Sequence, residues 1–430
     1  MSKLTTLFVP VTLTLTLGAC GSDSNGGGNH PDATGSGSGN PPDGVIAIPL
    51  KSLDATGYTG PITVGTQTFD AIYDTGSSTI GIADTSCTTC MASPKYTAEA
   101  SAVDQHMTGK SQYGDGSGWN GEIFQDMSKL GGGPGVALKF VDITSQTKGS
   151  QGQYFFHGGY SGIVGLGPDG ALLAGTSSYI TGAVGTGMPG VMAFQLCPDK
   201  GTMWLGGYDP AAVDGTVEYS PIVPIAGMSG LYYAVNTGAA AIDGTDLGVA
   251  SADFGPTIVD TGTTISFVPT AVLNKLTTAI NASAATKAAF GSTGFAGGSC
   301  LHTTMTSTQL DATLPKLGIT FAGGTTPVAM PATKAYLFNE GQGNYCFAFG
   351  DSSQLFGGFK ASLFGASMLN GMIAVFDVAN KQLGFAAEKG CANTQRVLEA
   401  AAPDAPAIVI DPSRPWYESD PRVRLPTFAF

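Results

Sequence analysis

The sequence predicts an all-β chain built from two duplicated β lobes with a cleft between them and a few short helices. Asp74-Thr75-Gly76-Ser77-Ser78 recurs as Asp260-Thr261-Gly262-Thr263-Thr264, 186 positions later. Each copy follows a short apolar run of β type, Ala71-Ile72-Tyr73 in the first and Thr257-Ile258-Val259 in the second, and each is followed by another. The composition agrees, with 63 glycines, abundant Ser and Thr, and few helical patterns. At 430 residues and 42% hydrophobic, the chain can fill two or three domains.

Residues 1–19 read as a signal peptide, with Lys3, an apolar stretch from Leu4 to Leu17 and the ending Leu17-Gly18-Ala19-Cys20. The stretch is short for a membrane span. That ending resembles the bacterial lipobox, which implies cleavage before Cys20, lipid on Cys20 and a cell-envelope location. Gly21, in place of the Asp that retains such proteins at the inner membrane, points to the outer membrane. An ordinary secretory signal is the plainer alternative. Residues 20–44 are mostly Gly, Ser, Asn, Asp and Pro with almost nothing to bury, a flexible tether.

The lobes are expected at 45–225 and 226–391. Tyr58 to Gly65 alternates as a strand ending at glycine, and Tyr232 to Gly238 is its counterpart before the second loop. In each loop the glycine permits a tight turn and the hydroxyls can bond backbone or carboxylate, so the aspartate is held rigidly. A single Asp-Thr-Gly is an ordinary turn; two in matching contexts suggest one carboxylate pair at a lobe interface. Gly162-Ile163-Val164-Gly165-Leu166-Gly167 and Ser362-Leu363-Phe364-Gly365-Ala366 are apolar-apolar-Gly segments that fit a buried strand threaded beneath each loop, although a plain core strand reads the same way. The clearest helix is Pro269 through Ala282, with Val272, Leu273, Leu276 and Ile280 at helical spacing. Residues 392–430, rich in Ala and Pro, are expected to be mostly a disordered extension. A segment that crosses the cleft or binds a partner is the lesser alternative.

Charged residues are 12%, and 32 acidic against 19 basic give −13, which argues against nucleic acid or an anionic membrane surface as partner. The few cations suit acidic surroundings, since carboxylates neutralise at low pH; simple solubility would look the same. Without Cys20, six cysteines remain, an even number that implies disulfides in an exported chain and permits 15 pairings. Cys87-Thr88-Thr89-Cys90 has no second C-x-x-C to complete a zinc site, and four histidines are scattered along the chain. No metal or cofactor is expected.

Over roughly residues 45 to 391 the chain resembles the pepsin-type aspartic endopeptidases. The resemblance rests on Asp-Thr-Gly-Ser/Thr in each half and the hydrophobic-hydrophobic-Gly segment completing each loop. A tyrosine-bearing flap, Gln112-Tyr113-Gly114-Asp115-Gly116-Ser117-Gly118, adds to it and is worded closer to the nepenthesin-like branch. Trp204-Leu205-Gly206-Gly207-Tyr208-Asp209 and the closing stretch from Val375 to Phe385 are further matches. It implies disulfides Cys87–Cys90, Cys300–Cys346 and, as in the β-secretase and nepenthesin-like branches, Cys197–Cys391. It implies a catalytic pair, Asp74 and Asp260, sharing one proton and holding a water that attacks a peptide carbonyl, with Ser77 and Thr263 orienting the carboxylates. Tyr113, with Gly114 and Asp115, would cover the bound polypeptide. A monomer, acid-active and preferring bulky apolar residues, follows from the same resemblance.

Three departures matter. The family's usual tryptophan seven residues after the first aspartate is Gly81 here, which puts flap support in question; Trp119 could compensate, contact substrate or simply pack. Asp115 could place charge over the cleft or face solvent. No Lys or Arg lies between Cys20 and Val45, so an inhibitory prosegment of the pepsin kind is not expected. A catalytically silent relative, such as the xylanase-inhibitor proteins, is the competing reading, but such relatives usually lose an aspartate or its hydroxyl neighbour. A surface adhesin with incidental motifs would not explain the loops, flap and closing hairpin together.

Overall fold

A computed structural model describes residues 42–426 apart from 54–55, 115, 150–151, 157, 354, 357, 392–413 and 421. Cys20 and Asp115, the signal and the tether as far as residue 41 fall outside the described residues.

Both halves use the same local plan. In the first, Tyr58–Val64 turns at Gly65, whose φ of 58° favours glycine, into Gln67–Asp74, which runs straight into the aspartate loop. Gly162–Gly165 then pairs parallel to Gln67–Asp74, from Ala71 opposite Gly162 to Asp74 opposite Gly165. It pairs antiparallel to Gly81–Ala83, the strand leaving the loop. In the second half Ser362–Phe364 lies parallel to Pro256–Val259 and antiparallel to Ser266–Val268. The correspondence extends one strand further, since Gly81–Ala83 has a parallel neighbour in Val136–Thr147 and Ser266–Val268 has one in Phe349–Asp351. The architecture is thus two β lobes of duplicated design, with few and short helices.

A thirteen-stranded sheet also links the first described strand, Ile46–Ser52, to the last two, Met372–Asp377 and Gln382–Glu388. Met372–Asp377 and Gln382–Glu388 form the closing hairpin, and they pair respectively with Val191–Leu196 and Val213–Pro221. Asp377 accepts from the Asn380 amide at 3.1 Å and from the side chains of Asn380 and Gln382 at 2.8 and 2.9 Å, which fixes the hairpin turn. Disulfides join Cys87 to Cys90, Cys300 to Cys346 and Cys197 to Cys391, the last closing a sequence separation of 194 residues.

The helix expected from Pro269 runs Thr270–Ala282 and buries Val272, Leu273, Leu276 and Ile280. Two elements differ from expectation. The strand anticipated at 232–238 runs Ala234–Ile242 instead and continues through Gly238, where its register against Leu317–Phe321 shifts between Thr237 and Ala239. A Cβ at Gly238 would sit 3.1 Å from the Thr320 carbonyl oxygen, so the glycine serves a bulge inside the strand and not its end. Of the expected extension, residues 414–420 and 422–426 pack onto the body. Trp416 is fully buried, stacks on Phe338 with centroids 4.9 Å apart, and donates its indole N–H to the Phe347 carbonyl at 3.1 Å.

Candidate active site

The two aspartate loops meet at their glycines. A Cβ on Gly76 would lie 2.4 Å from the Asp260 carboxyl carbon, and one on Gly262 would lie 2.2 Å from Asp74 Oδ1. Each carboxyl therefore rests over the other loop's glycine, and any side chain there would push the pair apart. Asp74 accepts from the Gly76 amide at 2.8 Å and from the Ser77 hydroxyl at 2.5 Å. Asp260 accepts from the Gly262 amide at 2.8 Å and from the Thr263 hydroxyl at 2.6 Å. Both aspartates are almost wholly buried.

Thr75 and Thr261 lock the loops reciprocally. The Thr75 amide donates to Thr261 Oγ1 at 3.1 Å, and the Thr261 amide donates to Thr75 Oγ1 at 3.0 Å. Each hydroxyl then donates across to the other half's strand, Thr75 to the Val259 carbonyl at 2.9 Å and Thr261 to the Tyr73 carbonyl at 2.8 Å. The result is a buried network with every member bonded, which fixes the spacing of the carboxyls rather than leaving it to loop motion. From beneath, the threaded strands hold the same loops. Leu166 and Gly167 donate their amides to the carbonyls of Asp74 and Ser77, both at 2.7 Å, and the Asp260 amide donates to the Phe364 carbonyl at 3.0 Å.

Two carboxyls in contact in a buried site cannot both ionise readily. The Asp260 carboxyl is held well above the usual carboxylate range, first by burial and then by the Asp74 charge. A hydrogen bond shared with Asp74 adds to this, while the Thr263 hydroxyl and Gly262 amide pull part of the way back. The site thus retains a proton that an exposed aspartate would release, and that proton belongs to the pair.

Above the loops, Val103–Gln112 and Gly118–Leu130 form a hairpin whose tip carries Tyr113 and Gly114. Gly118 is required at its neck, because a Cβ there would lie 2.4 Å from the Ser111 carbonyl oxygen. Trp119 is buried and donates its indole N–H to the Tyr113 hydroxyl at 2.6 Å. It also fills the space at position 81, where a Cβ would approach its ring to 3.5 Å and Ile143 to 2.8 Å. Phe155 stacks on Tyr113 with centroids 4.2 Å apart and planes 11° from parallel. The cleft below the tip is lined by Asp74, Gly262, Tyr113, Phe155 and Tyr160, and by Val423, Arg424 and Leu425 from the tail.

Sequence reasoning did not single out Phe155 and Tyr160, nor Thr264 beyond its place in the repeated motif. The aromatic run Tyr154-Phe155-Phe156 with Tyr160 close behind it, in a glycine-rich stretch, was the available signal for the first two. Pro415-Trp416-Tyr417, an aromatic pair within a polar and Pro-rich tail, was the signal for the packed segment.

Comparison with known proteins gives a consistent result. A family model described as eukaryotic aspartyl protease matches residues 57–388. An aspartic protease of Phaffia rhodozyma is 30% identical over 343 residues, 76% of this chain and 76% of that protein. Gastricsin of Cavia porcellus is 26% identical over 362 residues, 80% of this chain and 82% of gastricsin. Rhizopuspepsin of Rhizopus chinensis is 30% identical over 270 residues, 60% of this chain and 63% of that protein.

Proposed function

This chain belongs to the eukaryotic aspartyl protease family, and from that premise we propose that it is an acid-active aspartic endopeptidase in which Asp74 and Asp260 activate water against a peptide bond. The observation that carries the reading is the reciprocal hold on the pair: each carboxyl has a glycine amide and a hydroxyl as donors, and each lies over the opposite glycine. The ionised member takes a proton from water as it attacks the peptide carbonyl. The protonated member donates to the carbonyl oxygen, and the pair returns the proton to the departing amine. Ser77 and Thr263 keep the outer oxygens occupied so that the inner ones face the substrate. Tyr113 and the flap close over the polypeptide and exclude water. Bulky apolar residues flank the bond that is cut.

The raised Asp260 carboxyl sets the sign of the pH dependence. Activity needs one proton on the pair; it is present on the acid side and lost as pH rises through the raised value, because the acid partner is then ionised. The protein acts as a monomer, without cofactor or metal, and is held on the bacterial cell envelope through lipid on Cys20, at the outer membrane.

The test is cleavage of a denatured protein from acid to neutral pH, with and without a statine inhibitor, beside Asp74→Asn and Asp260→Asn. Cleavage is expected on the acid side only, blocked by the inhibitor and lowered by about 10²- to 10⁴-fold by either substitution. Cleavage that survives either change removes the pair from the mechanism. Its absence at every pH favours a silent binding protein. Cys20→Ser is expected to move the chain from the membrane fraction to the soluble one, and an unchanged distribution would sink the anchor.

A further inference from the structure

We propose that the described tail residues 414–420 and 422–426 form an intramolecular strap that occupies the cleft in place of a substrate strand and holds the protease self-inhibited, with Arg424 seated in a cation-accepting aromatic subsite. This deepens the reading of the cleft as a polypeptide site and rests on it.

The strap has an anchor, a turn closed by the Val423 amide on the Asp420 carbonyl at 3.1 Å, and an end segment in the cleft. Its anchor is the Trp416–Tyr417 pair: Trp416 is buried against Phe338 and its amide donates to the Gly298 carbonyl at 3.0 Å, and Tyr417 meets Phe267 edge-on at 5.7 Å. At the turn, the Arg422 guanidinium donates to Asp420 at 3.0 and 2.7 Å and also bonds Glu340, in an ion cluster whose carboxylates are almost wholly buried. Beyond it the chain enters the cleft. The Thr264 amide donates to the Arg424 carbonyl at 2.9 Å, and the Arg424 amide donates to the Thr264 hydroxyl at 2.7 Å. Thr264 adjoins Thr263, which orients Asp260. Two residues later the Gly114 amide, at the flap tip, donates to the Pro426 carbonyl at 3.0 Å.

One stretch of backbone is therefore bonded to the aspartate loop below and to the flap above. These are main-chain bonds, which any extended polypeptide can make, so strap and substrate compete for the same donors. The side chain adds selectivity. The Arg424 guanidinium carbon lies 4.6 Å from the Tyr160 ring centroid and 5.3 Å from that of Phe155, within cation–π range. Phe155 is stacked on Tyr113, so the occupied subsite also braces the flap tip.

A tethered competitor acts at millimolar effective concentration, so an intrinsic affinity near 0.1 mM raises the apparent KM about tenfold and leaves kcat alone. The test compares the full chain with Trp416→Ala, which frees the anchor, and Arg424→Ala, which empties the subsite. Each is expected to lower KM about tenfold at unchanged kcat and to speed hydrogen exchange at the Gly114 and Thr264 amides. A synthetic peptide spanning 414–426 is expected to inhibit both variants competitively, and less well with alanine in place of Arg424. A strap with a packing role alone lowers Tm or kcat and leaves KM and amide protection unchanged; that result overturns the proposal. If no form cleaves substrate, the endopeptidase reading fails by itself. Exchange at the two amides and anisotropy of the labelled peptide with Trp416→Ala then decide the strap, and absence of both effects overturns it.

Discussion

Trp119 lies beside Tyr113 and gives its indole N–H to the tyrosine hydroxyl, so a substitution that keeps an aromatic ring and removes the N–H isolates that bond. Trp119→Phe is expected to lower kcat/KM by about 2- to 10-fold, the worth of one ordinary hydrogen bond, with Tm little changed. Peptide cleavage kinetics check it, and kcat/KM at the parent value would show that the bond does not position the flap. The missing tryptophan at position 81 was legible in the sequence, as was a second tryptophan nearby. Which way Trp119 faced was not. Strand parity gives two faces, and only the register that sets Trp119 opposite Ser111, with Ile143 filling the wall, shows that its indole turns inward over Gly81.

At the scale of elements, the threaded strands convert a turn motif into a rigid support, and their glycines are where that support is most exposed to substitution. A Cβ at Gly165 would lie 2.4 Å from the Ser78 carbonyl carbon and 2.5 Å from the Thr79 nitrogen, both backbone atoms that cannot swing aside. Gly165→Ala must then lift the loop that carries Ser77. It is expected to cost about 1–3 kcal/mol of stability and to reduce kcat as well. Gly185→Ala is the control: nothing lies within 4 Å of its Cβ and it sits at the end of the helix Tyr179–Gly185, so it should be neutral or mildly stabilising. Thermal melts and kcat of the two variants check this, and equal behaviour would mean that the loop does not rest on the strand. Both threaded segments were readable from their apolar-apolar-Gly wording. The tail was not, because its Ala- and Pro-rich composition averages over 392–430 and hides one aromatic pair. Gly238 misled for a related reason: a glycine in an alternating run marks a strand end or a bulge equally well until the partner strand is known.

Over the whole molecule, several buried carboxyls share one electrostatic tendency that composition only hinted at through its scarcity of cations. Asp142 is pushed up to about 8 by burial first, then by Asp84 and Glu122 and by a hydrogen bond with Asp84, and its Oδ1 has no hydrogen-bond partner. Asp260 and Asp311 are raised as well, each chiefly by burial. A carboxyl raised on folding keeps a proton that the unfolded chain releases near pH 4. Its contribution is therefore present at acid pH and is lost as pH rises through the folded value. Glu99 and Glu218 are lowered by hydrogen bonds from Thr66 and from Thr326 and Thr325, and act in the opposite sense, losing their contribution as pH falls, but both lie at the solvent-screened surface and weigh little. Stability should peak in weak acid and decline between about pH 5 and 8. Asp142→Asn tests this because the amide imitates the protonated acid, donating to Asp84 at every pH. Its Tm is expected to exceed the parent's by a few degrees, about 2–4 °C, at pH 8 and to match it at pH 4. A Tm gain of equal size at both pH values would place the effect in packing and remove Asp142 as a source of the acid preference.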